Sequence, residues 1–580
     1  MPVAPRFTRS TLPWLVEVLV ALIARLLYRV RSNGADQLPE GGAIIAANHL
    51  SYVDPVMLQL TCPRPLRFVG YGGLKNRHWF FRLIFKLSGA IAISPDDALG
   101  ATRTIVDHLR RGELVVIFVE GSISRTGQLM KLQRGYEVMA RKAGVPVVPV
   151  AHDGLWGSIF SFSGGCFIFN QPRLMRTHVQ VEWGKSELIA DIPVARLRQR
   201  ILDLGCAAFD QRPQLRRHLG REVVRGLARR PWRVEMVDRS VGRRVVKAGQ
   251  LLAAAAALSR HIKRTIPEHR VGIVLPPGAG GSIANLAVLC AGKVPVNLNF
   301  TAGSTAINAS LRLSEVETVI TANAVRAKVK DFPWPEKTLD LATEIKALGG
   351  KKAILPWLIA AWVLPNQLIA NLLGLPKRGD NEEAGLLFTS GSSGEPKGVV
   401  LTHRNILSNC WQVLSLCVLP NSATMIGCLP IFHSFGFTAT MWYPMIRACK
   451  VVTIPSPLDT RGIIDAIAEE KATVLVGAPT FLRPVAKRAE PAELASLNLI
   501  VTGAEKLPPD LTKIFREKFS LDMMQGYGLT ETSPAANINQ PHPALPSGHG
   551  AEVQEAHRIG SVGRMMPGMT SRILDPETME

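Results

Sequence analysis

The sequence predicts an α/β protein built of at least two successive domains, and three observations lead there. At 580 residues the chain is too long for a single hydrophobic core. Short apolar runs of strand length alternate with helix-length stretches throughout, the pattern of α/β folds. Polar residues able to do chemistry follow directly on those runs, where loops on a rigid frame carry function. No internal repeat or low-complexity tract interrupts the alternation.

The first element is the apolar stretch LPWLVEVLVALIARLLYRVRS, Leu12 to Ser32, broken by Glu17, Arg25 and Arg29. Those charges favour a helix lying in a membrane interface over one that crosses a bilayer. No small-residue cleavage site follows it, so a secretory signal is not expected. Gly42 to Ala47 reads as a buried strand and Pro55 onward as a helix start, which puts His49 at a strand end and Asp54 near a helix N-terminus. Leu114 to Val119 is a second apolar strand, ending in Glu120-Gly121, and Ala143 to Ala151 (AGVPVVPVA) is a third.

The motif N-H-x-x-x-x-D, then a strand ending in E-G, then V-P-V-V-P-V resembles the glycerolipid acyltransferase family over about residues 40 to 200. His49 and Asp54 have no serine or cysteine nucleophile beside them, and an acyl thioester needs none. The acceptor's own hydroxyl attacks, and what the protein must supply is a base. Histidine can take that proton at neutral pH, while a carboxylate on its other nitrogen fixes the tautomer. The resemblance implies that His49 is the base, Asp54 its partner, and Glu120 with Gly121 the acceptor side. The family pattern F-P-E-G-T-R-S departs here to Phe118-Val119-Glu120-Gly121-Ser122-Ile123-Ser124-Arg125. The arginine that would grip a phosphate monoester is replaced by Ile123, and Arg125 stands two positions later. A lysophospholipid with a phosphodiester head group fits that weaker grip.

Lys and Arg outnumber Asp and Glu by 68 to 46. Between Arg212 and Lys247 stand eleven Arg and one Lys against three acids, a segment expected to seek anionic surfaces. No nucleic-acid-binding signature accompanies this charge, so anionic lipid is favoured and nucleic acid is not expected as a partner. A second amphiphilic stretch, Lys351 to Arg378, carries Trp357 and Trp362 with basic residues at both ends, and its prolines make a straight membrane span doubtful. The eight cysteines, Cys62, Cys166, Cys206, Cys290, Cys410, Cys417, Cys428 and Cys449, are scattered without metal or disulfide spacing, which indicates a reducing compartment.

LLFTSGSSGEPKGVVLTHRN, Leu386 to Asn405, is the most specific stretch. Its glycines let backbone N–H groups converge on phosphate oxygens, its hydroxyls add donors, and Lys397 adds a cation. It is not a G-x-x-x-x-G-K-[ST] P-loop. LPIFHSFGF (Leu429 to Phe437), GAPTFL (Gly477 to Leu482), VTGAEKL (Val501 to Leu507), GYGLTETSP (Gly526 to Pro534) and SVGRMMPGM (Ser561 to Met569) follow in order. Together they resemble the adenylate-forming family of acyl-CoA and acyl-carrier-protein synthetases. The resemblance implies ATP and Mg²⁺ as cofactors. Thr389, Ser390, Gly391, Ser392, Ser393, Gly394 and Lys397 would hold the ATP phosphates, and Gly503, Ala504, Glu505 and Tyr527 would frame the adenine. Thr530 would contact phosphate, Glu531 would bind Mg²⁺, and His433 would line the carboxylate entry. Nothing after Met569 matches the family's ribose-binding aspartate, hinge or lysine-bearing lid, which implies weakened adenylation by these residues alone.

Joined in this order, the two units look like the bifunctional 2-acylglycerophosphoethanolamine acyltransferase/acyl-carrier-protein synthetase family of bacterial inner membranes. TGQLMKL (Thr126 to Leu132), LYRVR (Leu27 to Arg31), NFTAG (Asn299 to Gly303) and PIFHSFG (Pro430 to Gly436) carry that likeness. It implies an interface helix over 1–32, an acyltransferase over 33–205, an Arg-rich linker over 206–247 and an AMP-binding domain over 248–580. The implied partners are acyl-carrier protein, fatty acid, lysophospholipid and the cytoplasmic face of the inner membrane. Two alternatives stay open: an acyltransferase fed by external thioester with an inactive adenylating remnant, and a membrane scaffold that binds carrier protein or nucleotide without turnover.

Overall fold

Residues 14–73, 85, 89–93, 98–163, 177–389, 395–420, 422–543 and 554–578 are described by a computed structural model of the chain. Its first sheet holds β1 (Tyr28–Asn33), β2 (Ala43–Ala47), β3 (Leu66–Tyr71), β4 (Ile91–Ile93), β5 (Leu114–Phe118), β6 (Val147–Asp153) and β7 (Thr177–Trp183). They lie in the order β1-β7-β6-β2-β5-β3-β4, all neighbours parallel except β6 and β7. The central strand β2 reads Ala-Ile-Ile-Ala-Ala because both its faces are covered. Side chains alternate along it, so Ile45 and Ala47 enter one apolar cluster with Leu58 and Val148, while Ile44 and Ala46 enter another with Ile105 and Leu197.

The second part holds two further sheets. Its strands, in chain order, are β8 (Val234–Asp238), β9 (Arg244–Lys247), β10 (Arg270–Ile273), β11 (Val294–Asn297), β12 (Thr318–Thr321), β13 (Lys337–Asp340), β14 (Glu383–Thr389), β15 (Lys397–Thr402), β16 (Thr424–Gly427), β17 (Lys450–Thr453), β18 (Val474–Gly477), β19 (Leu499–Thr502), β20 (Met523–Gly528), β21 (Ala535–Ile538) and β22 (Arg564–Met565). One sheet runs β13-β12-β10-β11-β14-β15 and the other β22-β21-β20-β19-β18-β16-β17-β8-β9. A shared apolar cluster, with Leu251, Val271, Leu387 and Trp442 fully or nearly fully buried, lies beneath both.

The expected linker over 206–247 is corrected by this topology. β8 pairs in parallel with β17, placing Met236 opposite Val451, and β9 closes the edge of the same sheet. The helix Leu219–Ala228 buries Leu219, Val223, Val224 and Leu227. Its Gly226 approaches the backbone so closely that a Cβ there would lie 2.0 Å from the Met445 carbonyl oxygen. Three of the arginines that suggested a solvated connection are paired with acids far off in sequence. Arg212 forks onto Asp153 at 2.6 and 2.7 Å, Arg239 meets Glu469 at 2.7 Å, and Arg243 meets Glu470 at 2.5 Å.

Among the described residues the first amphiphilic stretch is helical over Trp14–Leu27 and turns into β1 at Tyr28. Ala21, Ala24 and Tyr28 face the protein, while Leu19, Leu22, Ile23 and Leu26 are exposed. Lys351 to Arg378 forms two helices, Lys351–Val363 and Asn366–Leu372, divided at Leu364-Pro365 because the residue before proline resists helical geometry. Trp357 and Ala361 pack inward, and Leu355, Ile359, Trp362 and Val363 are exposed. Among the described residues no helix is long and apolar enough to cross a membrane.

Candidate active sites

β2 and β5 are adjacent and parallel, so the turns after them converge at one end of the sheet, where open α/β sheets place ligands. His49 follows β2 and Glu120 follows β5. The carboxylate of Asp54 starts the helix Asp54–Thr61, and its Oδ2 accepts from the backbone N–H groups of Leu50 at 2.7 Å and Ser51 at 2.9 Å. The same oxygen meets His49 Nδ1 at 2.8 Å. With Nδ1–H donated to Asp54, His49 presents a lone pair on Nε2, which has no partner among the described residues. The imidazole stacks on Phe118, ring centroids 4.0 Å apart, which fixes its plane. Burial opposes ionisation of Asp54, but contacts with His152 and His49 outweigh it and hold the carboxyl well below its ordinary range.

Glu120 is a clamp between two loops. One carboxylate oxygen accepts from His49 N–H at 2.8 Å and the other from Met130 N–H at 2.7 Å. Burial pushes its pKa up to about 7, although those two N–H groups pull it down. Ser124 N–H donates to the His49 carbonyl at 2.8 Å, completing the junction. Gly121 has φ of 73°, a left-handed turn in which a side chain would be strained. Arg125 lies one residue beyond Ser124 with its guanidinium 5.5 Å from the Phe162 ring. The structure therefore brings His49, Asp54, Glu120, Gly121 and Arg125 into one neighbourhood.

His152 was missed from sequence. Its Nε2–H donates to the Asn48 carbonyl at 3.0 Å and lies 3.4 Å from Asp54 Oδ2. Asn48 in turn accepts from His152 N–H at 3.0 Å and donates to its carbonyl at 3.1 Å, tying the ends of β2 and β6 together. Burial disfavours the imidazolium, but Asp54 reverses this and raises the His152 pKa above its ordinary value. The signal was one residue past the quoted V-P-V-V-P-V-A.

The second site is a cavity of about 930 Å³ between the β14 end, the turn after β16 and the β19–β20 ends. Thr389, His433, Gly503, Ala504, Glu505, Tyr527, Thr530 and Glu531 all line it. Lys397 is exposed at the start of β15 and pairs opposite Thr389 in the antiparallel register, so it flanks the loop without lining the cavity. Ser390, Gly391, Ser392, Ser393 and Gly394 lie outside the described residues. Glu505 accepts from the Thr480 hydroxyl at 2.6 Å, and Ala504 is held at φ of 68°. Burial lowers the His433 pKa and keeps the ring neutral. The far end is apolar, with Cys410, Val413, Leu416 and Val474 among its walls.

Three polar atoms in this wall, Thr438 Oγ1, Thr502 Oγ1 and Gln540 Nε2, are buried without a hydrogen-bond partner among the described residues. Unpaired buried polar groups are costly, and a polar ligand would satisfy them. With the hydroxyls of Thr389 and Thr530 and the Glu531 carboxylate alongside, the donor set fits a nucleotide. No cluster of three metal-binding side chains occurs among the described residues, so Mg²⁺ would be held by Glu531 together with phosphate oxygens.

A family model for AMP-binding enzymes matches residues 225–580. The chain belongs to the AMP-binding enzyme family. Its N-terminal part is matched by an acyltransferase model over residues 29–153, so an acyltransferase domain and an AMP-binding domain are fused in one chain. The long-chain-fatty-acid–CoA ligase of Bacillus subtilis is 27% identical over 339 residues, 54% of this chain and 57% of that protein. A feruloyl-CoA synthase of Amycolatopsis is 32% identical over 180 residues, 31% of this chain and 34% of that protein. The chain thus spans little more than half the length of the former and a third of the latter. The crystal structure of VinN superposes with a TM-score of 0.50 at 19% identity, over 62% of this chain and 84% of that one, a likeness of fold.

Proposed function

We propose that this acyltransferase/AMP-binding protein repairs phospholipids: it transfers an acyl chain from an acyl-carrier-protein thioester to a lysophospholipid such as 2-acylglycerophosphoethanolamine, and activates long-chain fatty acid for that purpose. The observation that carries it is the His49–Asp54 pair, a base with an open Nε2 and no protein nucleophile beside it. The lysophospholipid hydroxyl gives its proton to His49 Nε2 as its oxygen attacks the thioester carbonyl. Asp54 stabilises the imidazolium that results. The tetrahedral intermediate collapses with loss of the thiolate, which takes the proton back from His49, leaving an ester and a free thiol.

In the second domain, Thr389, Lys397, Thr530 and the 390–394 loop would hold ATP, and Glu531 its Mg²⁺. ATP would supply a phosphoanhydride that activates the fatty-acid carboxylate, with pyrophosphate released first and AMP released as a carrier-protein thiol accepts the acyl group. The apolar end of the cavity suits an acyl chain, and His433, neutral, adds no charge at the carboxylate entry.

The exposed leucines of Trp14–Leu27, together with Ile359 and Trp362, support attachment to the cytoplasmic face of a bacterial inner membrane. Labelled fatty acid, ATP, carrier protein and lysophospholipid should yield labelled diacyl lipid. Product only from preformed thioester would restrict the function to the acyltransferase; no product either way would leave a scaffold.

A further inference from the structure

The loop that follows Glu120 is held from the other domain. Gln554, itself buried, accepts from Arg125 N–H at 2.8 Å and donates to Ser122 Oγ at 3.1 Å and to the Ile123 carbonyl at 2.9 Å. Gln128 donates to the Met565 carbonyl at 3.0 Å, and Arg564 donates to the Leu129 carbonyl at 3.2 Å. Gly127 packs against Trp156, where a Cβ would fall 2.5 Å from the indole, and Trp156 Nε1–H donates to the carbonyl of Leu416 at 3.4 Å. Leu416 is a wall of the large cavity.

These contacts do not end at the interface. Arg564 and Met565 form β22, which pairs with β21, and β21 pairs with β20 at Tyr527 and Asn537. Tyr527 and Asn537 line the cavity. One ladder therefore runs from the proposed nucleotide site to the loop whose Met130 N–H grips Glu120.

We propose that Gln554 is a positioning residue of the acyltransferase centre: the AMP-binding domain sets the conformation of loop 122–130, so the acceptor lipid binds to a surface completed by both domains. This rests on the reading of residues 49–130 as an acyltransferase centre. Gln554 touches no reacting atom in this account; it acts through Ser122, Ile123 and Arg125.

The test uses the full chain and three variants, Gln554→Ala, Gln554→Glu and Arg572→Ala. Arg572 reaches Asp203 across the same interface at 3.5 Å but away from the loop. Losing the Gln554 contacts should speed amide exchange across 122–130 by about tenfold, with β2 unchanged. The KM for lysophosphatidylethanolamine should rise by a similar factor of about ten at constant KM for the acyl thioester. Gln554→Glu keeps acceptance from Arg125 and loses donation to Ile123, so it should fall between, and Arg572→Ala should match wild type. Wild-type exchange and KM in Gln554→Ala would overturn the proposal, as would a loss of β2 protection accompanied by a parallel rise in both KM values. If His49→Ala transfers acyl groups as well as wild type, the acyltransferase reading fails, and the exchange of 122–130 still decides whether Gln554 positions the loop.

Discussion

A histidine whose side chain is 17% exposed, with Nδ1 tied to a carboxylate that is wholly buried, can offer only its other nitrogen to substrate. That geometry makes His49 and Asp54 separable by experiment. His49→Ala removes the base and should lower acyl transfer from preformed thioester by about 10³-fold. Asp54→Asn keeps the shape but loses the charge that stabilises imidazolium, and should cost about 10²–10³-fold, seen in kcat more than in KM. Neither variant touches the second cavity, so nucleotide binding followed by calorimetry should be unchanged. His49 and Asp54 were legible because their spacing and their place after a buried strand are local features. His152 was not, since its partnership with Asp54 depends on β6 lying beside β2 across about a hundred residues of chain.

The helix Leu219–Ala228 shows how an element was misread and why. Its sequence is rich in arginine, but its N-terminus is capped by two buried histidines. His218 Nδ1 accepts from Gly220 N–H at 3.2 Å, and His403 Nδ1 accepts from Leu219 N–H at 3.1 Å. Both nitrogens must be unprotonated to accept. Burial, chiefly, pushes His218 down to about 3 and His403 to about 4. A histidine depressed in the folded state binds its proton first in the unfolded chain, whose ordinary value is 6.5. Its stabilising contribution is therefore complete above pH 6.5 and is lost as pH falls toward 4 and then 3. Denaturant titrations should show stability dropping by about 2–4 kcal/mol between pH 7 and pH 4.5. The slope should flatten in His218→Asn, which caps without titrating there. Gly226→Ala, forced against the Met445 carbonyl, should lose about 2–3 kcal/mol in the same assay. A flexible linker would tolerate that substitution without cost.

At the scale of the molecule, a formal charge of +22 suggested an electrostatic attraction to lipid. That figure already counts the acids, but Arg212, Arg239 and Arg243 of the basic segment are paired with Asp153, Glu469 and Glu470. The segment thus offers less free charge to lipid than its own composition implied, and apolar contact must supply more of any membrane affinity. Leu22→Glu combined with Leu26→Glu should therefore release the protein from anionic vesicles in sedimentation, while leaving its thermal unfolding unchanged because both side chains are exposed. The α/β class, the order of the two units and the convergence of Thr389, His433, Gly503, Tyr527, Thr530 and Glu531 on one cavity were legible, because strands buried on both faces and the turns that follow them announce themselves locally. The attachment of β8 and β9 to a distant sheet and the Gln554 contacts across the domain interface were not, for they are set by packing between residues hundreds of positions apart.

The central claim is that His49 draws a proton from an acceptor hydroxyl, and one assay addresses it directly. Purified full chain is given labelled acyl-carrier-protein thioester and lysophosphatidylethanolamine, without ATP, beside the His49→Ala variant. The expected result is labelled phosphatidylethanolamine from the native chain and about 10³-fold less from the variant, both proteins folded and binding nucleotide alike. Equal product from the two, or none from the native chain, would contradict the account.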